Sequence, residues 1–206
     1  MSYIGSNAQG LISNIDGGTI KNATLDSSVT FPPGSIVQVE STQFGSGATM
    51  TSMDYHTDYV VVDGTAGDSN ATEILTVELK PKFQNSKIWL QVSWCGEVNP
   101  TSISWNMMFF IYRNSTKLQT GTSSSSSPKG IHPIALSYNQ TDADSTMESS
   151  FFQYFDTPNT TDNITYKLGI NNGSTQGSIA TSRTITDGGA GYERGVSSIV
   201  AIEIKQ

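Results

Sequence analysis

The chain carries very little of what redox or histidine chemistry needs: one cysteine and two histidines in 206 residues. The lone cysteine, Cys95, cannot close an internal disulfide, and its place in an apolar strand pattern fits a small buried hydrophobe. Charge is scarce as well. Charged residues make up 14% of the chain, against about a quarter in ordinary domains, and acidic residues outnumber basic ones to give a net charge of -7. No basic run interrupts that acidity, so nucleic acid is not an expected partner. No window approaches the ~18 consecutive apolar residues of a membrane span, so no membrane insertion is expected. The opening MSYIGSNAQG lacks the basic start and apolar stretch of a secretory leader. The expectation is a soluble product made in the cytoplasm of its producing cell.

Ser, Thr, Asn and Gly fill the place of the missing charges. Short polar side chains compete for helical backbone groups, and β-branched ones suit a pleated surface, so the composition points to sheets and turns. The periodicity agrees. Val37 and Val39 alternate with Gln38 and Glu40, and Leu75, Val77 and Leu79 alternate with Thr76, Glu78 and Lys80, as in a sheet with one wet face. In KIWLQVSW, Ile88, Leu90, Val92 and Trp94 share one face. SWNMMFFIYR is apolar on both faces and reads as a central strand covered on both sides. SFFQYF (150–155), ITYKLGI (164–170) and SSIVAIEIK, in which Val200, Ile202 and Ile204 share a face, complete the set. Turn clusters separate these runs, and no helical period lasts three turns. The pattern predicts an all-β fold, an antiparallel β-sandwich of jelly-roll type, with long loops at 114–148 and 171–195.

Residues 1–30 read differently. Their apolar residues are Tyr3, Ile4, Leu11, Ile12 and then Ile15, Ile20 and Leu25, five apart, which is neither a helical nor a strand period. Scattered single apolar residues cannot offset the entropy of ordering a backbone alone, so the segment calls for a partner surface. Pro32-Pro33 and Gly34 then form a stiff elbow and turn into the first strand.

Candidate chemistry is sparse. Asp54, His56 and Asp58 alternate in MDYHTDY and could share a strand face, but no second cluster completes a coordination shell. His132 lies in a loop-like IHP with no nucleophile nearby. Asp142, Asp144 and Glu148 lack the spacing of a calcium loop. TDGGAGYERG is Gly-rich without the Lys or following helix of a phosphate cradle. The Asn-x-Ser/Thr triplets at Asn22, Asn70, Asn114, Asn139, Asn159, Asn163 and Asn172 follow from composition. No catalytic residue, metal or cofactor is therefore assigned, and the expected class is a non-enzymatic protein. Aromatic faces beside Asn, Gln and Arg suit saccharide recognition, which makes Tyr138, Asn139, Gln140, Tyr192 and Arg194 the candidate receptor-binding residues.

The string GTIKNATLDSSVTFPPGSIVQVES resembles a junction in tail fibres and related virion appendages of tailed bacteriophages: a small-residue lead, S-x-V-T-F-P-x-G, then a strand ending in Val-Gln-Val. VELKPKFQNSKIWLQVSW resembles the strand-turn-strand unit of the same group, matched at Leu79, Pro81, Phe83, Ser86, Lys87 and Ile88. R-N-S-T, I-T-Y-K-L and the closing IVAIEI follow in the same order. The resemblance implies a virion protein, often a homotrimer, with an extended N-terminal attachment segment at 1–30 that meets other virion proteins and a β-sandwich at 31–206. Its use would be adhesion to a host-surface glycan as a tail fibre or tail-tip protein. The alternatives are a capsid decoration or head-fibre protein and, requiring a cleft with two close carboxylates, a tail-associated polysaccharide depolymerase.

Overall fold

The computed structural model describes residues 30–44, 60–62, 72–98, 107–118, 130–133, 146–172, 177–184, 186 and 193–206. The chain divides into Met1–Thr30 and Phe31–Gln206, and the fold below is that of the second unit. The residues of the expected attachment segment, Tyr3 to Leu25, lie outside the described residues.

Among the described residues eleven strands run in order: β1 (Ile36–Gln43), β2 (Val60–Val62), β3 (Thr72–Leu79), β4 (Lys87–Val98), β5 (Met107–Arg113), β6 (Thr116–Lys117), β7 (His132–Pro133), β8 (Glu148–Asp156), β9 (Ile164–Asn172), β10 (Gly177–Thr181) and β11 (Ser198–Ile204). Among the described residues there is no helix. In the first sheet β1 pairs β11, β11 pairs β4, and β8 takes the other edge of β4; β10 continues the β11 side of β4 and carries β2. In the second sheet β3 pairs β9, β9 pairs β5, and β6 and β7 share the far edge of β5.

The antiparallel pairs β1/β11, β3/β9, β4/β8 and β5/β7 are nested in the sequence. A long folded ribbon rolled into two layers gives this order, which is the double-sheet jelly roll. Side chains alternate across each strand, so one face of each sheet meets the other. Ile88, Leu90, Val92 and Trp94 of β4, Phe109 and Ile111 of β5, and Tyr166, Leu168 and Ile170 of β9 are sealed from water between them. Phe109 joins the layers, with its ring 5.5 Å from Trp94 and 5.2 Å from Phe152. Each such side chain stabilises the fold by roughly 1.5–3 kcal/mol through burial. Strand β5 is covered on both faces as its sequence demands: Phe110 on the outer side is also buried, beneath the Lys117 ammonium 4.1 Å from its ring.

Two polar clasps close the sandwich. Pro32–Ser35 forms a turn in which Gly34 takes φ 86, a conformation glycine adopts without steric cost. It is tied to β11 by Gly34 N–H to the Lys205 carbonyl at 2.8 Å. Behind it, Glu203 is fully buried. Its carboxylate accepts the Lys82 and Phe83 amides at 2.9–3.1 Å, the Gln38 amide at 2.6 Å and the Ser86 hydroxyl. At another point Asp156 of β8 accepts both contacts of Arg113 (3.0 Å) and the Tyr166 hydroxyl (2.8 Å), joining the two sheets.

Several expectations are corrected by the register. Val39 does not point inward. A bulge between Ile36 and Gln38 sets Gln38 opposite Glu203 and Val39 opposite Ile202, so the polar alternates of β1 face the core side and Val39 is 53% exposed. The same phase holds in β11: Ile199, Ala201 and Glu203 are buried inward, and Val200, Ile202 and Ile204 take the other face, where Ile202 is still buried and the other two half-buried. A one-residue change of register moves every side chain to the other face. The polar stretch after Arg113 is not simply a loop. Asn114, at φ 55, reverses the chain into β6, and its side-chain oxygen accepts Thr165 N–H at 2.9 Å while its own N–H donates to Thr165 O at 2.8 Å. Likewise β7 lies within the expected 114–148 loop, paired with β5, and β10 within 171–195, paired between β4 and β2.

Candidate functional site

The outer face of the first sheet is built by the outward alternates of β8, β4, β11 and β1. The ladders align them in rows: Phe155, Trp89, Ile202 and Val39; then Gln153, Gln91, Val200 and Ser41; then Phe151, Ser93, Ser198 and Gln43. Lys87, Ile204 and Ile36 lie beyond the first row. An ordinary wet face would alternate polar residues here. Instead Phe151 is 64% exposed, Ile36 58% and Phe155 50%, and the first row is apolar across four strands.

The face has an aromatic half and an aliphatic half. On β4 and β8 the rings of Trp89 and Phe155 lie 5.7 Å apart and 17° from parallel. The indole N–H of Trp89 donates to the Gln153 side-chain oxygen at 3.0 Å, which fixes the indole and turns the amide nitrogen of Gln153 away from that bond. The Lys87 ammonium stands 5.7 Å from the Phe155 ring. On β1 and β11 the outward residues are Ile36, Val39, Ile202 and Ile204. None of the residues in these rows is an Asp or Glu, and Lys87 is the one charge, although the chain as a whole carries a net charge of -7. The hydrophobic run SFFQYF disclosed two ring-bearing faces, but only the β4/β8 register shows which rings meet water.

Of the residues singled out from the sequence, the structure describes only some. Tyr138, Asn139, Gln140 and Tyr192 lie outside the described residues, as do Asp54, His56, Asp58, Asp142 and Asp144. Arg194 is exposed, its backbone bridged to Arg183; its neighbour Glu193 accepts the Met147 amide at 2.7 Å. His132 sits in β7 with its ring parallel to Phe152 at 4.9 Å, and partial burial pulls its pKa below the ordinary 6.5. Cys95 is half-buried, with Sγ 3.7 Å from Ser197 Oγ. Ser197 and Ser182 complete the hydrogen bonds around it: Ser182 N–H reaches Cys95 O at 2.7 Å and the two hydroxyls meet at 3.0 Å. Among the described residues no three His, Cys, Asp or Glu side chains group as metal ligands do.

A second concavity, of about 380 Å³, opens between the edge strands β1 and β3 and is lined by Glu40, Ser41, Thr42, Thr76, Val77 and Glu78. Both carboxylates there are exposed to water, whereas the general acid of a glycosidase is enclosed by apolar side chains.

No family model and no curated protein matches the chain. Among solved structures, one described as the structure of infectious bursal disease virus Gt strain is similar at a TM-score of 0.32 and 13% identity, over 91% of this chain and 43% of that one.

Proposed function

We propose that the chain is a structural protein of a tailed-bacteriophage virion, an appendage that attaches through residues 1–30 and displays the sandwich for adhesion to host-surface glycan. The observation that carries this reading is the outer face of the β1-β11-β4-β8 sheet. Exposed apolar side chains gathered on one face of a domain mark contact with another body, and here they are Ile36 and Val39 on β1 and Phe151 and Phe155 on β8, with Ile202 buried and Trp89 half-buried between them. The phage assignment rests on the resemblance of GTIKNATLDSSVTFPPGSIVQVES and VELKPKFQNSKIWLQVSW. That resemblance is also the source of the homotrimer in this reading. Double-sheet jelly rolls occur in viral capsid and lectin domains among others, which is support by analogy, since function is argued from the site.

Two measurements test it. Protein lacking residues 1–30 should fail to join purified particles, and the full chain should bind host cells; normal incorporation together with absent cell binding contradicts the reading. A head-decoration role is the second reading. It is favoured by the aliphatic half of the face, Ile36, Val39, Ile202 and Ile204, whose side chains offer packing without polar handles. Immunolabelling of intact particles separates the two by locating the protein at the tail or over the head.

A further inference from the structure

We infer that the aromatic half of the outer face, on β4 and β8, is a saccharide-binding platform for a pyranose chain lying along β8. The inference rests on the adhesion reading above and assigns its contact surface. Phe151, Gln153 and Phe155 alternate along an edge strand whose only described partner is β4. At 3.2–3.4 Å rise per residue, the two phenyl groups stand about 13 Å apart with an amide between them. At the far end Trp89 is stacked against Phe155, and Lys87 stands over the Phe155 ring. Sugar rings present flat C–H faces to aromatic surfaces and hydroxyls around their rims, so a ring–amide–ring alternation meets both parts of the ligand.

Three observations favour a sugar over a second copy of the chain. First, the Trp89 N–H to Gln153 bond holds these two side chains in place within one chain, so neither must be ordered when a ligand arrives, and preorganisation of this kind raises affinity. Second, Phe151 and Phe155 lie on β8, whose only described partner is β4, where an extended polymer can run past without enclosing the domain. Third, among the described residues of this face there is no carboxylate, which lessens the repulsion that a chain of net charge -7 would exert on the acidic sugars of a bacterial surface, and Lys87 over Phe155 adds one attractive charge.

The test uses the full chain and three variants at exposed or half-buried positions: Phe151→Ser, Phe155→Ser and Trp89→Phe, the last retaining a ring and losing the N–H. Binding is measured by calorimetry against polysaccharide released from the host envelope and against neutral hexose hexasaccharides. The expected result is saccharide binding by the parent chain, weakened about thirtyfold by Phe155→Ser and less by Phe151→Ser, with unchanged melting temperature. Trp89→Phe should weaken binding through the loss of the Gln153 contact. Stronger binding to acidic than to neutral probes, reduced by Lys87→Gln, identifies the charged class. Equal binding by parent and variants overturns this platform while leaving adhesion intact. No binding of any saccharide by the parent overturns the adhesion reading itself. A change of sedimentation coefficient in the variants without any saccharide effect overturns the platform in favour of a second copy on this face.

Discussion

The buried carboxylate of Glu203, in the last strand, accepts the hydroxyl of Ser86, in the turn between β3 and β4, at 2.5 Å. The same carboxylate holds the Lys82 and Phe83 amides, so one side chain fixes the β3–β4 turn, β1 through Gln38, and β11. Replacing it by Ala would leave these donors buried without their acceptor. Glu203→Ala should lower stability by about 3–5 kcal/mol in chemical unfolding, and Ser86→Ala by about 1–2 kcal/mol. A Glu203→Ala loss below about 1 kcal/mol would mean that water replaces the carboxylate.

The sequence made this fold legible in its largest parts. Ile88, Leu90, Val92 and Trp94 alternate cleanly, and they are the buried face of β4. Met107–Arg113 of the doubly apolar SWNMMFFIYR is β5, in which Phe109 and Ile111 on one face and Phe110 on the other are buried. What the alternation could not supply was phase. Val39 read as a core residue because a wet face is normally polar, yet the bulge in β1 turns it out, while Ile202 stays buried on the outer side of β11. The platform stayed hidden for the same reason: Trp89, Gln153 and Phe155 belong to distant segments, and only the β4/β8 register places Trp89 opposite Phe155. The turn motif P-K-F-Q-N-S-K carried a signal in Ser86 and Phe83, but its partner Glu203 is 117 residues from Ser86.

Tyr166 is the second polar anchor. Its hydroxyl donates to Asp156 at 2.8 Å, and burial first, then the Asp156 carboxylate, raise its pKa far above the ordinary 10.0. A raised folded-state pKa adds stability that is present below the unfolded value and is lost as pH rises above it. Stability should therefore fall from about pH 10 upward, and Tyr166→Phe should remove that component while costing about 1–2 kcal/mol near neutral pH. Denaturant titrations at pH 8 and pH 11 measure both effects; an equal alkaline loss in the variant contradicts the assignment.

His132 acts in the opposite direction. Burial beside Phe152 lowers its pKa from 6.5, so the folded state binds fewer protons than the unfolded one just below that value. Stability should be full above pH 6.5 and decline as pH falls through it toward the folded pKa. His132→Gln should flatten that part of the profile relative to the parent. Identical slopes between pH 7 and pH 5 would show that the ring titrates alike in both states.

Gly195 lies against Cys95: a Cβ at that position would stand 2.6 Å from the Cys95 sulfur. Gly195→Ala should destabilise by about 1–3 kcal/mol through overpacking. Trimming the contact with Cys95→Ala should recover part of that loss in the double variant, because neighbouring substitutions that share a contact are not additive. Additive effects of the two changes would place the cost elsewhere.

The account turns on the outer face of the first sheet being the surface that meets the host. Its most direct test is adsorption of the purified full chain to host cells, compared with a Trp89→Phe/Phe155→Ser double variant whose melting temperature is unchanged. The account predicts that half-saturation shifts to at least tenfold higher protein concentration in the variant. Superimposable adsorption curves for the two proteins would contradict it.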